Sequence, residues 1–294
     1  MKLATFRQDG PPRVGVVDPS GGRIWPADEL AGEPVGDMLQ LIRAWPRLRE
    51  RLAPRGPGLD LARVALEAPI PRPPRNVLCV GKNYRAHAHE FTRSGYDSSA
   101  KGAADAVPTA PVIFTKAPET VIGPGRPIPY PEGVSEQVDY EAELAVVVGA
   151  GGRGLRREDA LGHVFGYTIV DDVTARDLQA RHKQWFLGKS LDGFCPMGPW
   201  IVTADELDPA AGVEVRCWVN GELRQEGNTR DLVFDVPTLL ATISAGLTLQ
   251  PGDVLATGTP AGVGVGFDPP RFLRRGDRVR IAIAGIGVLE NEVG

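Results

Sequence analysis

The sequence predicts a mainly β (α+β) protein in which short helices lie around a strand-rich core. Glycine and proline account for 36 and 27 of the 294 residues, and this abundance favours turns and short strands over long helices. Apolar runs of strand length recur along the chain, whereas helical periodicity is limited to a few short segments. Because the strands do not alternate regularly with helices, a parallel βαβ array is not expected.

Residues 1–70 are predicted to form a small N-terminal α+β domain. Its short strands, joined by Gly and Pro turns, are KLATFRQ, RVGVVDP and GRIWPA. Residues 35–53 have the spacing of an amphipathic helix, which Pro46 is expected to interrupt. Four prolines within 67–76 predict a stiff, extended linker, so residues 71–294 are expected to form the second domain.

The second domain is predicted to be rich in strands. It begins with the buried strand NVLCVG and a short helix near RAHAHEF, followed by a mobile Gly-, Ala- and Ser-rich loop at 92–110. The other strand-like segments are PVIFTK, YEAELAVVVG, FGYTIVDD, GPWIVTA, VEVRCWVN, DVLATG and RVRIAIAGIGVLENEV. The clearest helix is VFDVPTLLATISAGLTL, and RREDALGHVF and VTARDLQAR predict shorter helices.

Charge and hydropathy exclude several classes of partner. The formal net charge is −4 and no long basic run occurs, so nucleic acid is not an expected partner. No stretch of 18 apolar residues is present, so no membrane span is expected. The first ten residues lack the apolar core of a signal peptide, and we therefore expect a cytoplasmic protein.

The available ligand side chains favour a hard cation. The chain has three cysteines and no CxxC pair, so neither a disulfide framework nor a zinc–thiolate site is expected. Only four histidines are present. Oxygen donors therefore dominate, and they suit Mg²⁺, with Mn²⁺ or Ca²⁺ as alternatives.

Carboxylates at two predicted strands form a candidate metal site. Glu141 and Glu143 lie two residues apart in an apolar strand, so both face the same side. Such neighbours repel unless a cation neutralises them, although a solvated edge strand would also accommodate them. Asp171 and Asp172 end a second strand, where one could cap the following helix while the other faces the site. Spacing alone does not choose between these two aspartates.

Four motifs in sequence order resemble the fumarylacetoacetate hydrolase family. They are YEAELAVVVG, DDVTARDLQ, LGKSLDGFCPMGPWIV and GTPAGVG. The resemblance covers roughly residues 75–294, and the leading 70 residues loosely resemble the small N-terminal domain of many members. It implies a catalytic domain of the family's mixed β-sandwich or roll type, in a homodimer.

The resemblance also implies roles for individual residues. The implied metal ligands are Glu141, Glu143 and Asp172. The implied substrate-binding residues are Gln179, Gly258 and Thr259, and the implied catalytic residues are His87, Glu90 and Lys189. Lys116 also stands at a family-like position, but no role follows for it.

His87 and Glu90 resemble the catalytic pair of the family's lid segment. Three residues apart on a helix, they share a face, so Glu90 can orient the imidazole. His89 points elsewhere on such a helix and is the weaker candidate, and a surface histidine on a mobile loop is the alternative for His87. Arg176 and Asp177 are expected to form an ion pair on their own helix.

By resemblance, the substrate is a small 2-oxo acid or 1,3-diketone that reacts through an enolate held at a divalent metal ion. The pair of His87 and Glu90 favours hydrolysis of a C–C bond in an acylpyruvate-type substrate, because only hydrolysis requires an activated water. The alternatives are isomerisation of a hydroxyheptadienedioate or carboxymethyl-hydroxymuconate and decarboxylation of an oxaloacetate-like acid. A non-catalytic metal-binding module would need the carboxylates but not Lys189, His87 or Glu90. The 92–110 loop is expected to select the substrate.

Overall fold

The computed structural model describes residues 1–97 and 102–294. Strands dominate these residues and the helices are short, which confirms the predicted mainly β (α+β) class. The 92–110 loop falls within this part except for residues 98–101, which lie outside the described residues.

The strands follow one another along the chain with few helices between them. The first nine are β1 (Lys2–Arg7), β2 (Arg13–Asp18), β3 (Arg23–Pro26), β4 (Leu59–Asp60), β5 (Ala65–Leu66), β6 (Val77–Gly81), β7 (Val112–Lys116), β8 (Val121–Ile122) and β9 (Val138–Asp139). The next nine are β10 (Ala142–Val148), β11 (Val164–Asp171), β12 (Thr174–Ala175), β13 (Cys195–Thr203), β14 (Glu214–Val219), β15 (Glu222–Asn228), β16 (Val254–Ala256), β17 (Arg278–Ile283) and β18 (Gly287–Glu292).

The α-helices are short. They are α1 (Ala27–Ala31), α2 (Met38–Leu48), α3 (Arg85–Arg93), α4 (Arg176–His182), α5 (Phe186–Lys189) and α6 (Val236–Ser244). Helices were expected near the segments that contain α3, α4 and α6, and these expectations are confirmed. Within the described residues, no helix has the length and apolar character needed to cross a membrane.

Two local expectations are wrong. Pro46 does not interrupt α2 but lies inside its last turn, where burial of the helix's apolar face offsets one missing backbone hydrogen bond. The segment RREDALGHVF forms only a 3₁₀ turn at Ala160–His163, because β11 begins at Val164 and pairs with β10. Pairing within the sheet therefore overrides the local helical pattern.

The main sheet of the described residues continues across the predicted domain boundary. Its strand order is β4-β3-β2-β1-β13-β11-β10-β16-β6-β7, with β5 added beside β1 and β8 beside β13. Strand β1 pairs antiparallel with β13, so the N-terminal strands extend the sheet that contains the later motifs. A division near residue 70 remains a prediction.

Strand β10 lies at the centre of this sheet and is buried along its whole length. It pairs antiparallel with β11 on one side and with β16 on the other. A second sheet, β15-β14-β17-β18, supplies part of the large hydrophobic core. The start of β10 therefore lies in the buried interior beside the ends of its two neighbours, β11 and β16.

Candidate active site

Three carboxylates meet at the start of β10. Glu141, Glu143 and Asp172 are 5%, 1% and 0% exposed, and one oxygen from each lies within 4.8 Å of the others. The two glutamates share a face, as their spacing predicted. The alternative of a solvated edge strand does not hold, because all three side chains are buried.

The pairing register between β10 and β11 determines which of the two aspartates faces the triad. Ala142 is opposite Asp171, and the backbone N–H of Asp172 donates to the carbonyl of Glu141 at 2.9 Å. Asp171 turns away from the triad and accepts from the Glu141 N–H at 2.9 Å. Neither aspartate caps α4, which follows Ala175 without a side-chain cap. The structure thus selects Asp172 for the cluster.

Two buried lysines hold opposite oxygens of Asp172. Lys189 Nζ lies 2.7 Å from its Oδ2 and 2.9 Å from Glu141 Oε2. Lys116 Nζ donates to its Oδ1 at 2.6 Å and to the Val173 carbonyl at 2.9 Å. Lys116, for which the sequence supplied no role, therefore positions Asp172.

A glycine brings Lys189 to this place. A Cβ on Gly188 would lie 2.6 Å from the backbone nitrogen of Gln179, closer than real Cβ atoms approach. Only glycine therefore lets α5 lie directly on α4 at this point, where Lys189 reaches the carboxylates. Gln179 is 1% exposed and its side-chain oxygen accepts from Arg176 at 3.1 Å.

Arg176 belongs to the buried network, although no sequence motif assigned it to the site. It pairs with Asp139 at 2.8 Å and with Glu141 at 2.7 Å. The expected ion pair with Asp177 is wrong, since Asp177 instead accepts from the Ser135 hydroxyl at 2.6 Å. Arg176 is buried because its positive charge stabilises buried carboxylates that water cannot reach. Its position three residues before Gln179, on the same helix face, was the available signal.

The network sets different charge states on neighbouring acids. Burial, together with Asp172 and Glu141, raises the pKa of Glu143 well above its usual value. Burial would also raise the pKa of Glu141, but Lys189 and Arg176 lower it to about 2. Burial raises the pKa of Asp171 to about 8, so this acid is mostly protonated at neutral pH. Burial opposes the charge of Lys189, yet Asp172 and Glu141 raise its pKa and keep it cationic.

The donor set fits a hard divalent cation. Glu143 accepts from the Gly258 N–H at 2.7 Å, but its nearest charged neighbours in the triad repel it. A divalent ion would remove this repulsion and would find three carboxylate oxygens at close quarters. Oxygen-only ligands of this kind suit Mg²⁺ or Mn²⁺.

A histidine–glutamate pair lies on α3 beside the triad. His87 is 4% exposed, so it is not a surface histidine, and its Nδ1 lies 3.2 Å from Glu90 Oε2. Glu90 also accepts from the Gly262 N–H at 2.9 Å, which ties α3 to the glycine-rich turn. His89, on the same helix, is exposed, in agreement with its weaker candidacy.

The glycine-rich turn follows β16. Gly258 has a φ of 107°, and a Cβ there would lie 2.7 Å from that of Asn83, so this position requires glycine. Thr259 is 2% exposed, accepts from Gln225 Nε2 at 2.7 Å and donates to the Ala142 carbonyl at 3.0 Å. Gln225 thus orients Thr259, and no motif in the sequence pointed to it.

Side chains from each of these motifs line one small cavity. With the side chains in these positions, it has room for about 10 Å³, about one water molecule. Aromatic rings of Phe91, Phe114 and Trp185 form its apolar wall. The remaining lining includes polar side chains from every motif described above: Lys82, His87, Glu141, Glu143, Arg176, Gln179, Lys189 and Thr259. The structure brings together the residues that the sequence motifs indicated; their catalytic and binding roles remain predictions.

Comparison with known proteins identifies the class to which this site belongs. Residues 76–294 match the family model described as fumarylacetoacetate (FAA) hydrolase C-terminal. The chain therefore belongs to the fumarylacetoacetate hydrolase family, as its motifs indicated.

Three similar proteins have names that indicate their chemistry. The oxaloacetate tautomerase YisK of Bacillus subtilis is 51% identical over 235 residues, which cover 80% of this chain and 75% of that protein. A fumarylacetoacetate hydrolase from Exiguobacterium antarcticum has a TM-score of 0.84 at 46% identity, covering 100% and 99% of the two chains. Maleylpyruvate hydrolase from Sphingobium sp. SYK-6, solved with manganese(II) and pyruvate, has a TM-score of 0.78 at 36% identity, covering 100% and 98%. These relatives include both tautomerase and hydrolase chemistry.

Proposed function

We propose that this chain is a tautomerase of a small 2-oxo dicarboxylic acid of the oxaloacetate type. The observation that carries the proposal is a buried imidazole, fixed by Glu90, that lines a small cavity together with Glu141 and Glu143 of the carboxylate triad. The 51% identity to an oxaloacetate tautomerase supports this chemistry above the C–C hydrolysis favoured from the sequence. A non-catalytic metal-binding module would leave His87 and Glu90 without a task.

The hydrogen bond between His87 and Glu90 defines which ring nitrogen acts as a base. A carboxylate can only accept, so Nδ1 carries the proton and the lone pair of the neutral ring lies on Nε2. In the direction that forms the enol, Nε2 takes a proton from C3, the electron pair of that C–H bond moves through the new C=C bond to the C2 oxygen, and this oxygen then accepts a proton from the imidazolium or from water. In the reverse direction the oxygen loses its proton and the imidazolium returns one to C3. Glu90 stabilises the imidazolium that exists between these steps. The pair therefore has a task in tautomerisation as well as in hydrolysis.

The cationic and carboxylate groups would hold the other end of the substrate. Glu141, Glu143 and Asp172 would bind the divalent ion, Mg²⁺ or Mn²⁺. When bound, such an ion acts as a Lewis acid that stabilises negative charge on substrate oxygens. Lys189 contributes a fixed positive charge to the same region, and the aromatic wall limits the entry of water.

Exchange of the C3 protons with solvent tests this function directly. With Mg²⁺, the wild-type protein should exchange the C3 protons of oxaloacetate for deuterium, as followed by NMR, faster than the metal alone does. His87→Ala should slow this exchange by about 10²–10⁴-fold, the range for loss of a general base. His89→Ala, on the exposed side of the same helix, is the matched control and should leave the rate unchanged. Exchange no faster than with Mg²⁺ alone would refute the proposal.

Cleavage of a C–C bond is the second candidate, because two of the compared structures are named hydrolases and one holds pyruvate. Hydrolysis would use the same His87 to activate water. In ¹⁸O-labelled water, cleavage of an acylpyruvate should place the label in the released carboxylic acid. Tautomerisation leaves the carbon skeleton uncut, so the label distinguishes the two reactions. Decarboxylation of oxaloacetate would instead release CO₂, which a coupled assay would detect.

A further inference from the structure

We propose that Asp139 is a positioning residue that fixes two parts of the active site at once. One part is the implied metal ligand Glu141, and the other is the pair of His87 and Glu90. This role rests on the proposed function for the tasks that those three residues perform. None of the sequence motifs assigned a role to Asp139.

Asp139 is a buried carboxylate whose charge is balanced by protein donors. It is 0% exposed, and each of its two oxygens accepts two hydrogen bonds. Its Oδ1 accepts from the backbone N–H groups of Tyr140 at 2.9 Å and Gly264 at 2.6 Å. Its Oδ2 accepts from Arg176 Nε at 2.8 Å and from the Val265 N–H at 3.0 Å. One side chain therefore binds both the arginine of the buried network and the glycine-rich turn.

Through Arg176, Asp139 acts on the metal ligands. The guanidinium group places its Nε on Asp139 and its Nη2 at 2.7 Å from Glu141 Oε1. Because the guanidinium is a rigid planar fork, the position of Asp139 determines where Arg176 meets Glu141. Without the charge of Asp139, the charge of Arg176 would act on Glu141 alone and would compete with a cation for its oxygens.

Through the glycine-rich turn, Asp139 acts on the pair that contains the base. Glu90 contacts the chain on both sides of the two N–H groups that Asp139 binds. On one side the Gly262 N–H donates to Glu90 Oε1 at 2.9 Å, and on the other a Cβ on Gly266 would lie 2.3 Å from the same oxygen. Asp139 and Glu90 thus hold the same short segment. A shift of this segment would move Glu90 and change its bond to His87 Nδ1.

Asp139→Asn cannot keep these bonds in either orientation of the new amide. The substitution preserves the shape, but one of the two terminal groups then donates instead of accepting. Each oxygen of Asp139 binds one N–H of the turn, so the new N–H₂ would face a turn donor whichever way the amide is rotated. The charge of Arg176 would also lose this partner. The variant should therefore disturb the turn and Arg176 together.

Two measurements that need no turnover test the inference. Calorimetry of Mg²⁺ binding reports on the metal ligands. The downfield Nδ1–H resonance of His87 in proton NMR, identified by its absence from His87→Ala, reports on the bond to Glu90. Asp139→Asn should weaken Mg²⁺ binding about 10- to 100-fold, the range for residues that orient a metal ligand. The same variant should shift or abolish the His87 resonance.

Two further variants separate position from charge. Gly264→Ala keeps every charge, but its Cβ would lie 2.7 Å from Asp139 Oδ1, so it should also weaken Mg²⁺ binding and shift the His87 resonance. If Asp139→Asn does not fold, Gly264→Ala carries the test, and a wild-type Mg²⁺ affinity in it overturns the proposal. Asp177→Asn is the matched control, because Asp177 follows Arg176 in sequence but bonds outside the network. It should leave both measurements unchanged.

A double-mutant cycle tests whether the effect on the metal passes through Arg176. Arg176→Lys keeps the positive charge but lacks the fork that joins Asp139 to Glu141. In this background, Asp139→Asn should change the Mg²⁺ affinity less than about threefold. An equal loss of affinity in both backgrounds would mean that Asp139 acts only as a nearby charge, and the proposal would be overturned.

The outcomes distinguish this inference from the proposed function. If both measurements change as expected but the wild type fails to exchange the C3 protons of oxaloacetate, the proposed function fails and the role of Asp139 stands. If the wild type exchanges those protons but Asp139→Asn binds Mg²⁺ normally, the role of Asp139 is refuted alone. A wild type that binds no Mg²⁺, or that lacks the His87 resonance, also refutes it.

Discussion

Replacing Glu90 with glutamine should slow proton transfer and leave metal binding intact. In the structure, Glu90 Oε2 lies 3.2 Å from His87 Nδ1, and Oε1 accepts from the Gly262 N–H at 2.9 Å. Glutamine has nearly the same shape but lacks the charge that stabilises the imidazolium. It can keep the bond from Gly262 only by turning its amide N–H₂ toward Nδ1, which would move the ring proton to Nε2 and block the base.

The size of the effect follows from this contact. A hydrogen bond to a charged group contributes about 1.5–3 kcal/mol. Since about 1.36 kcal/mol corresponds to a factor of ten, loss of the charge alone should slow the reaction about 10- to 150-fold. Because the ring proton would also move to Nε2, the slowing of the reaction should lie near the upper end of this range.

The assay is deuterium exchange at C3 of oxaloacetate, measured beside Mg²⁺ affinity by calorimetry. Glu158→Gln, at a side chain that is 66% exposed, is the control for a change in charge and should behave like the wild type. Gly266→Ala should reproduce the slower exchange without removing a charge, because its Cβ would lie 2.3 Å from Glu90 Oε1. A wild-type exchange rate in Glu90→Gln, or an equal loss of Mg²⁺ affinity, would refute the assigned role.

Four further predictions concern the metal site, the fold and assembly. In calorimetry, Glu143→Gln should weaken Mg²⁺ binding at least about 100-fold, which is the upper end of the loss seen when a residue that only supports a metal ligand is replaced. The melting temperature of the metal-free protein should stay equal or rise, because the variant lacks a buried carboxylate that Asp172 and Glu141 repel. Asp235→Ala should cost about 1 kcal/mol in urea unfolding, because Asp235 caps α6 through the Thr238 N–H at 3.0 Å. Against the effect of partial burial, bonds from Thr238 and Arg157 lower the pKa of Asp235. The stability advantage of the wild type over the neutral cap in Asp235→Asn should therefore be present above pH 3.8 and vanish as the pH falls further. Light scattering at micromolar concentration should give the mass of a homodimer, and a monomer mass would contradict that expectation.

Local patterns in the sequence were sufficient for the parts of the site that lie on one element. Alternation along β10 predicted that Glu141 and Glu143 share a face, and helical spacing predicted that His87 and Glu90 meet. Both follow from the repeat of a single strand or helix, which the order of residues determines directly. The strand-rich class could be predicted for the same reason.

Tertiary structure alone decided which charges meet between distant segments. The choice of Asp172 over Asp171 depends on the register between β10 and β11, which resemblance to a family could suggest but spacing could not. Lys116 reaches Asp172 across 56 positions. Periodicity records which face of an element is buried, but it contains no information about which buried faces come together. That depends on strand order, on register and on close approaches such as the one permitted by Gly188, all of which exist only in the folded chain.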